Sequence, residues 1–418
     1  MLRVIFDISV LGIGHYNVRG RTGVYRVVES LMNNMKNMCE LRLCAQRNLK
    51  VLAQAKGYIK SHKELSELPF IETGMQGTDY TIEQLWNLEE RVGPSFPNNV
   101  IKSFLSLALK GLKLFISPVD MKELCKADIY HSPFFPFPDK TRDCGVIRFL
   151  TIHDLIPLIY PWFFESRECS LMKKTLQGIT HDDFIVCMSQ STKNDLCENI
   201  KIDPSRVFVT YPGVSETFTT CTEEQHLHVR RKYTIPEGRY FLSIATLEPR
   251  KNIAHTIDCF ASVVKEYHLK DLYLVLVGTP GWKYGNIFKK ISHDPQLKKH
   301  IIFTGFADDE DLPALYSGAW AFIYPSLYEG FGLPPLEAMK CGCPVITSHT
   351  SSLPEVVGHA ALMVDPTDAD ALCQCVVDLY TNESLRRDMS ERSLKQAQKF
   401  TWHKCACQTY EAYSKAIG

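Results

Sequence analysis

Along this chain, short apolar runs alternate with stretches whose apolar residues recur at helical spacing. In the second half the runs are YFLSI (240–244), LYLVLV (272–277), IIFT (301–304), AFIY (321–324) and PVIT (344–347), each followed by a polar or glycine-containing loop. Unbroken runs of this length separated by helices predict parallel strands buried on both faces. Between the first two, Ile253, Ile257, Phe260, Ala261 and Val264 share one face of a predicted helix that Asn252 is placed to cap. The first half repeats the pattern in RVIFDI (3–8), RFLTI (148–152), FIVCM (184–188) and RVFVTY (206–211), with a less legible stretch from 47 to 125. The polar segment after Pro212-Gly213, running to residue 239, has no strand pattern and predicts the connection between two α/β domains, 1–214 and 215–401. The last segment, 402–418, is helical in character and is expected to pack back on the first domain.

Composition supports this division without changing it. The chain has 418 residues, 45% hydrophobic and 22% charged, more than a single core usually serves. Lysine plus arginine equal aspartate plus glutamate at 47 each, so no global field recruits nucleic acid or an anionic surface. The first apolar run is interrupted by Arg3 and Asp7, and no later stretch reaches the ~18 apolar residues of a membrane span, which predicts a cytoplasmic protein. The 15 cysteines are scattered, and the pairs Cys341/Cys343, Cys373/Cys375 and Cys405/Cys407 lack zinc-ligand spacing; reduced thiols are expected and no metal site.

Sheets of this kind bind ligands beyond the carboxyl ends of their strands, so the loops there should carry the chemistry, in a cleft between the domains. After the strand at 321–324, Glu329 falls in a glycine-flanked loop, and Pro334-Pro335 open a helix with Glu337 expected in its first turn, where amides can also hold a phosphate. After the strand at 240–244, Arg250 and Lys251 arrive just before a helix. Two cations there oppose the helix dipole, and a diphosphate would account for them. In the first domain, His153 and Asp154 follow a strand directly, and Gly20 and Gly23 precede a helix. The pair Asp368/Asp370 reads as a helix cap and a first-turn acid, and the acids at 181–184 and near 308 read as solvated.

The strings IYHSPFFPFP, TIHDLIPLIYP, CMSQSTKNDL, TYPGV, LEPRKN, LVLVG, FTGF, YPSLYEGFGLPPLEAMKCGCPVITS and SSLPEVVGHAALMVDP resemble, in order, the signature segments of the retaining glycosyltransferases of family four, also called glycosyltransferase group 1. The likeness spans residues 129–402. It implies the GT-B architecture, two Rossmann-like domains facing a cleft, with acceptor held by the first and nucleotide sugar by the second. Under the resemblance, Glu329 bonds hydroxyls of the donor sugar, Glu337 bonds the ribose, and the amides of Phe331, Gly332 and Leu333 approach sugar and phosphate. Lys251 and Arg250 neutralise the departing diphosphate, Gly305 and Phe306 lie beside the base, His153 contacts the reacting sugar, and Gly23 belongs to the loop that meets the diphosphate. Many relatives place an arginine where this chain has Ala245 or Thr246, and Arg250 is expected to substitute.

The LEPRKN variant resembles bacterial mannosyl- and rhamnosyltransferases of polysaccharide assembly. It implies GDP-mannose as donor, a glycan or lipid-linked glycan as acceptor, and no separate cofactor. A nucleotide-sugar epimerase of similar architecture and a non-catalytic GT-B partner subunit are the rival readings. The segment 102–126, where Lys102, Lys110, Lys113, Lys122 and Lys126 alternate with Phe104, Leu105, Leu109, Leu112, Leu114 and Phe115, has the composition of a helix lying at the inner face of a membrane, or of a core helix with snorkelling lysines.

Overall fold

The computed structural model describes residues 1–17, 23–75, 77–78, 80–84, 119–279 and 295–418. Gly20 and residues 102–118 of the basic segment lie outside them. In its described remainder, Val119 and Leu124 are buried and Lys126 pairs with Glu123 at 2.7 Å.

Two six-stranded sheets carry the fold. The first comprises β1 (Arg3–Asp7), β2 (Glu40–Cys44), β3 (Ile129–Ser132), β4 (Ile147–Ile152), β5 (Phe184–Cys187) and β6 (Val207–Val209), in the order β2-β1-β3-β4-β5-β6. The second comprises β7 (Arg239–Ile244), β8 (Leu272–Val277), β9 (Ile301–Gly305), β10 (Ala321–Tyr324), β11 (Val345–Ser348) and β12 (Ala361–Val364), in the order β12-β11-β10-β7-β8-β9. Every pairing is parallel. Parallel strands need helical crossovers on both faces, which is why β8 and β10 are apolar at nearly every position.

The helices that bear on the site are α1 (Gly23–Met35), α2 (Gln190–Asn199), α3 (Glu223–Lys232), α4 (Ile253–Glu266), α5 (Leu333–Lys340), α6 (Leu353–Val357) and α7 (Trp402–Ile417). The polar connection after Pro212 holds no strand before β7, and α3 forms within it, opened by a capping box of Thr222 and Gln225. Asn252 does not cap α4 with its side chain. It sits in the left-handed region at φ 58°, and its amide donates instead to the carbonyls of Pro325 and Pro366. Helix α7 packs against α1 and buries Tyr413 beside Phe149, with ring centroids 4.8 Å apart.

The chain thus passes between the two halves twice, and the crossings touch. Val214 N donates to Phe400 O at 3.4 Å, and a Cβ on Gly213 would fall 2.2 Å from the amide nitrogen of Trp402. Only glycine admits that approach. No helix among the described residues is long and apolar enough to cross a membrane.

Three expectations are corrected. Asp183 is not solvated but buried against Arg148 at 2.5 Å, and Asp311 is buried and accepts from Lys232 and Tyr233, each at 2.6 Å. Both are paired because an unpaired buried carboxylate would cost several kcal/mol, about the penalty of an isolated buried charge. Cys125 and Cys144, with Cα atoms 4.6 Å apart, are joined in a disulfide, whereas the other thirteen cysteines are free. Asp368 does cap a helix, accepting from Ala371 N at 2.9 Å.

Candidate active site

Strand order reverses between β7 and β10 in the second sheet, and the loops after these two strands therefore open onto one crevice. The loop after β7 carries Arg250 and Lys251; the loop after β10 carries Glu329. They meet as an ion-paired cluster. Lys251 Nζ donates to Glu329 Oε1 at 2.7 Å and Arg250 Nη1 lies 2.8 Å from Oε2. Ser326 Oγ and Tyr324 OH also donate to Oε1, at 2.6 and 2.9 Å, and Lys251 bonds the Tyr324 hydroxyl as well. Burial alone would raise the Glu329 carboxyl, but the charges of Arg250 and Lys251 outweigh it and hold it down to about 2. Lys251 is lowered by burial and by the neighbouring Arg250 charge.

Arg250 is more committed than its sequence position suggests. Its Nη2 donates to Glu248 Oε1 at 2.6 Å and its Nη1 to Tyr328 O at 2.7 Å, so its fork fixes the Glu329 loop from within the protein. The same loop is braced from the other side. Glu329 N donates to Ser351 Oγ at 2.9 Å, and Ser352 Oγ donates to the carbonyls of Glu329 and Phe331 at 2.9 and 2.6 Å. The Phe331 side chain is buried against Tyr211 and Phe400, which leaves its backbone as the part able to meet a ligand.

The first half closes over this loop at His153. A Cβ on Gly330 would lie 2.2 Å from the His153 carbonyl oxygen and 2.7 Å from Asp154 Cβ, so the two halves touch here only because residue 330 has no side chain. His153 Nε2 is 2.7 Å from Pro133 O. A carbonyl can only accept, so this nitrogen carries the hydrogen and Nδ1 remains an acceptor. Burial lowers the imidazole to about 4, which keeps it neutral at physiological pH. Asp154 is pushed up by burial, with Arg250 opposing, and accepts from Ile156 N at 2.9 Å.

Glu337 is not in the first turn of α5. The helix begins at Leu333, after Gly332 at φ 125°, and Glu337 stands at the start of the second turn, buried. Its partners are side chains rather than the helix dipole: Arg26 Nη1 at 2.8 Å and Tyr316 OH at 3.1 Å. Burial raises this carboxyl, with Arg26 and Tyr316 opposing. Arg26 comes from α1 of the other half, and its Nη2 also bonds Asp309 Oδ1 at 2.6 Å. The N-termini of α1 and α5 approach each other, a Cβ on Gly23 lying 3.6 Å from Leu333 Cδ1. Gly305 and Phe306 stand at the carboxyl end of β9, with the Phe306 ring 59% exposed, in the loop that Asp309 ties to Arg26.

Sequence reasoning therefore named Lys251, Arg250, Glu329, Glu337, His153 and Gly23, and the fold gathers them on loops and N-terminal helix turns of the two halves. It missed Arg26, Tyr324, Ser326, Ser351 and Ser352. For Arg26 a signal existed: a cation in the first turn of a helix, the same anomaly that marks Arg250 and Lys251.

Comparison with known proteins bears on what this cleft does. Residues 228–396 match the family model of glycosyl transferases group 1. The O-antigen chain mannosyltransferase B of Escherichia coli is 33% identical over 286 residues, covering 68% of this chain and 74% of that protein. The serotype-specific mannosyltransferase WbdA of Escherichia coli is 32% identical over 271 residues, 63% of this chain but 33% of that longer protein. Among solved structures, HepE of Anabaena in complex with UDP and glucose superposes with a TM-score of 0.65 at 15% identity, covering 99% of this chain and 100% of that one. WaaG, a glycosyltransferase involved in lipopolysaccharide biosynthesis, gives 0.60 at 14% identity, with 98% of each chain covered. These structural likenesses establish the GT-B fold. The family-model match, with the mannosyltransferase matched over 74% of its length, makes the chain a member of the group 1 glycosyl transferase family, and an enzyme of that kind.

Proposed function

We propose that this glycosyltransferase moves a mannosyl residue, with retention of configuration, from a nucleotide sugar to a glycan or lipid-linked glycan acceptor, with GDP-mannose as the donor. The observation that carries the reading is the Lys251–Glu329 pair at the switch point of the second sheet. As the bond from sugar C1 to the phosphate oxygen breaks, negative charge grows on the diphosphate and positive character on the sugar. A preorganised ammonium is what that step needs. In this reading Glu329 takes donor-sugar hydroxyls, Nδ1 of neutral His153 accepts one more, and Glu337 takes the ribose, roles that the family resemblance supports. The acceptor oxygen enters on the face the leaving group vacates and gives its proton to the departing phosphate, so neither a protein nucleophile nor a metal ion is required.

In this scheme residues 1–214 hold the acceptor and 215–401 the donor, with 402–418 returning to the first. Mannose as the sugar is supported by the names of the curated relatives, and guanine by the LEPRKN resemblance. UDP, bound by HepE, is the competing nucleotide. The reaction belongs to the cytoplasm, where a lipid-linked acceptor would be met at the inner face of the membrane. Slow hydrolysis of a panel of nucleotide sugars, with calorimetric titration of GDP, UDP, dTDP and ADP, tests the donor. GDP-mannose cleavage and tightest binding of GDP are expected. Clearly tighter binding of any other nucleotide would overturn the guanine assignment, and no hydrolysis of any donor would overturn the nucleotide-sugar reading itself.

A further inference from the structure

The cations expected to meet the diphosphate are already neutralised. Arg250 and Lys251 contribute two positive charges, and Glu248 and Glu329, within 2.6–2.8 Å of them, contribute two negative ones. The cluster sums to zero. A diphosphate leaving group brings about two negative charges and gains more as the bond breaks, so the site needs positive charge from elsewhere.

Arg26 can bring it only by leaving its own partners, since Glu337 and Asp309 now hold its guanidinium. It projects from the first turn of α1, where a cation works against the helix dipole and is not explained by helix stability. It crosses to the other half and forks between Glu337 at 2.8 Å and Asp309 at 2.6 Å, next to the approach of the α1 and α5 N-termini. Its side chain is 32% exposed while that of Glu337 is 7% exposed, so the guanidinium is the solvent-accessible member of the pair. The carboxylate it occupies is the one assigned to the ribose.

We propose that Arg26 is a donor-diphosphate ligand supplied by the acceptor half. The ribose diol takes Glu337, and the released guanidinium turns onto the phosphate oxygens, whose geometry its fork matches in a two-point contact. Rupture of the Arg26–Glu337 pair is then part of donor binding, and the donor replaces one tie between the halves with another. The inference rests on the nucleotide-sugar reading above.

The test uses the full chain and calorimetry with GDP and guanosine, with UDP and uridine alongside. In Arg26→Ala the diphosphate should bind at least about tenfold more weakly, the worth of a charge-assisted contact, whereas the nucleoside should bind unchanged or more tightly because Glu337 is freed. Asp309→Asn releases the guanidinium from its outer partner and should tighten GDP several-fold, a gain that disappears in the Arg26→Ala/Asp309→Asn double variant. Equal changes for nucleoside and diphosphate, or diphosphate binding that is unaffected or tighter in Arg26→Ala, would show a mere latch and overturn the proposal while leaving the donor reading intact. Wild-type protein that binds no nucleoside diphosphate would overturn the donor reading and this inference with it.

Discussion

Glu329 accepts from Lys251, Ser326 and Tyr324 through one oxygen and pairs with Arg250 through the other. Removing its carboxylate therefore does two things at once: it deletes the donor contact proposed above and leaves two buried cations facing each other. The sequence places both Glu329 and Lys251 on loops and predicts that alanine at either abolishes transfer with the fold intact. The burial of the pair separates them. Lys251→Ala should cost transfer about a hundredfold or more, the scale of one preorganised charge contact, with a smaller drop in melting temperature than Glu329→Ala, because Glu329 keeps Arg250, Ser326 and Tyr324 as partners. Glu329→Ala should lose activity and also melt markedly earlier, as breaking a buried pair by removing one partner does. Kinetics and thermal melts on the two variants check this, and equal melting temperatures would refute the coupling. Gly330→Ala drives a methyl into the His153 carbonyl and should reduce both activity and stability. At this scale the charged residues were legible because cations at a helix start need a reason. The serines that brace the Glu329 loop were not, since a hydroxyl's partner depends on loops twenty residues apart in sequence meeting in space.

Among elements, the strands that periodicity predicted are those with unbroken apolar runs, and β2, β3 and β12 escaped. Strand β2 reads ELRLC and is the last strand of the first sheet, met on its outer side, among the described residues, only by the bridge of Leu43 to Phe70, and Glu40 and Arg42 are tolerated there. Strand β12 is likewise an edge. Strand β3 is central, but its IYHS hides a histidine that the fold satisfies completely. His131 bonds Tyr413 of α7 through Nδ1 and Thr151 through Nε2, the latter at 2.8 Å. Burial lowers this imidazole to about 3. A folded pKa below the unfolded value of about 6.5 means that the unfolded chain takes up the proton first. The contribution of His131, like that of His153, is thus present above pH 6.5 and is lost as pH falls toward 4 and then 3. Unfolding midpoints in denaturant between pH 7 and 4 should fall, and His131→Gln should flatten that fall. Tyr413→Phe removes the buried bond to His131 and the weaker one to Met35 Sδ, and should cost about 1 kcal/mol or more.

For the molecule as a whole, alternating runs and helices made the two parallel sheets legible, and the cleft followed from where such sheets bind ligands. How the halves meet was not legible, because it rests on pairs such as Glu355, which accepts from Gln190 N and Ser191 N at 2.7 Å each and from Tyr211 OH at 3.0 Å. Nothing in the local sequence of α6 announces that its Glu355 caps α2 of the other half. Transfer should persist after exhaustive EDTA treatment, since side chains and helix termini supply the positive charge. A strict requirement for added Mn²⁺ or Mg²⁺ would refute this.

The two chain crossings lie against each other at Gly213 and Trp402. A single thread between the halves would let them twist and splay freely, but two threads fastened side by side permit little except a swing about the line they share. A swing of that kind would open and close the cleft between the halves like a door. Any side chain forced in at 213 acts on the door pin, so Gly213→Val should slow turnover through product escape while single-turnover transfer from preloaded donor keeps its rate.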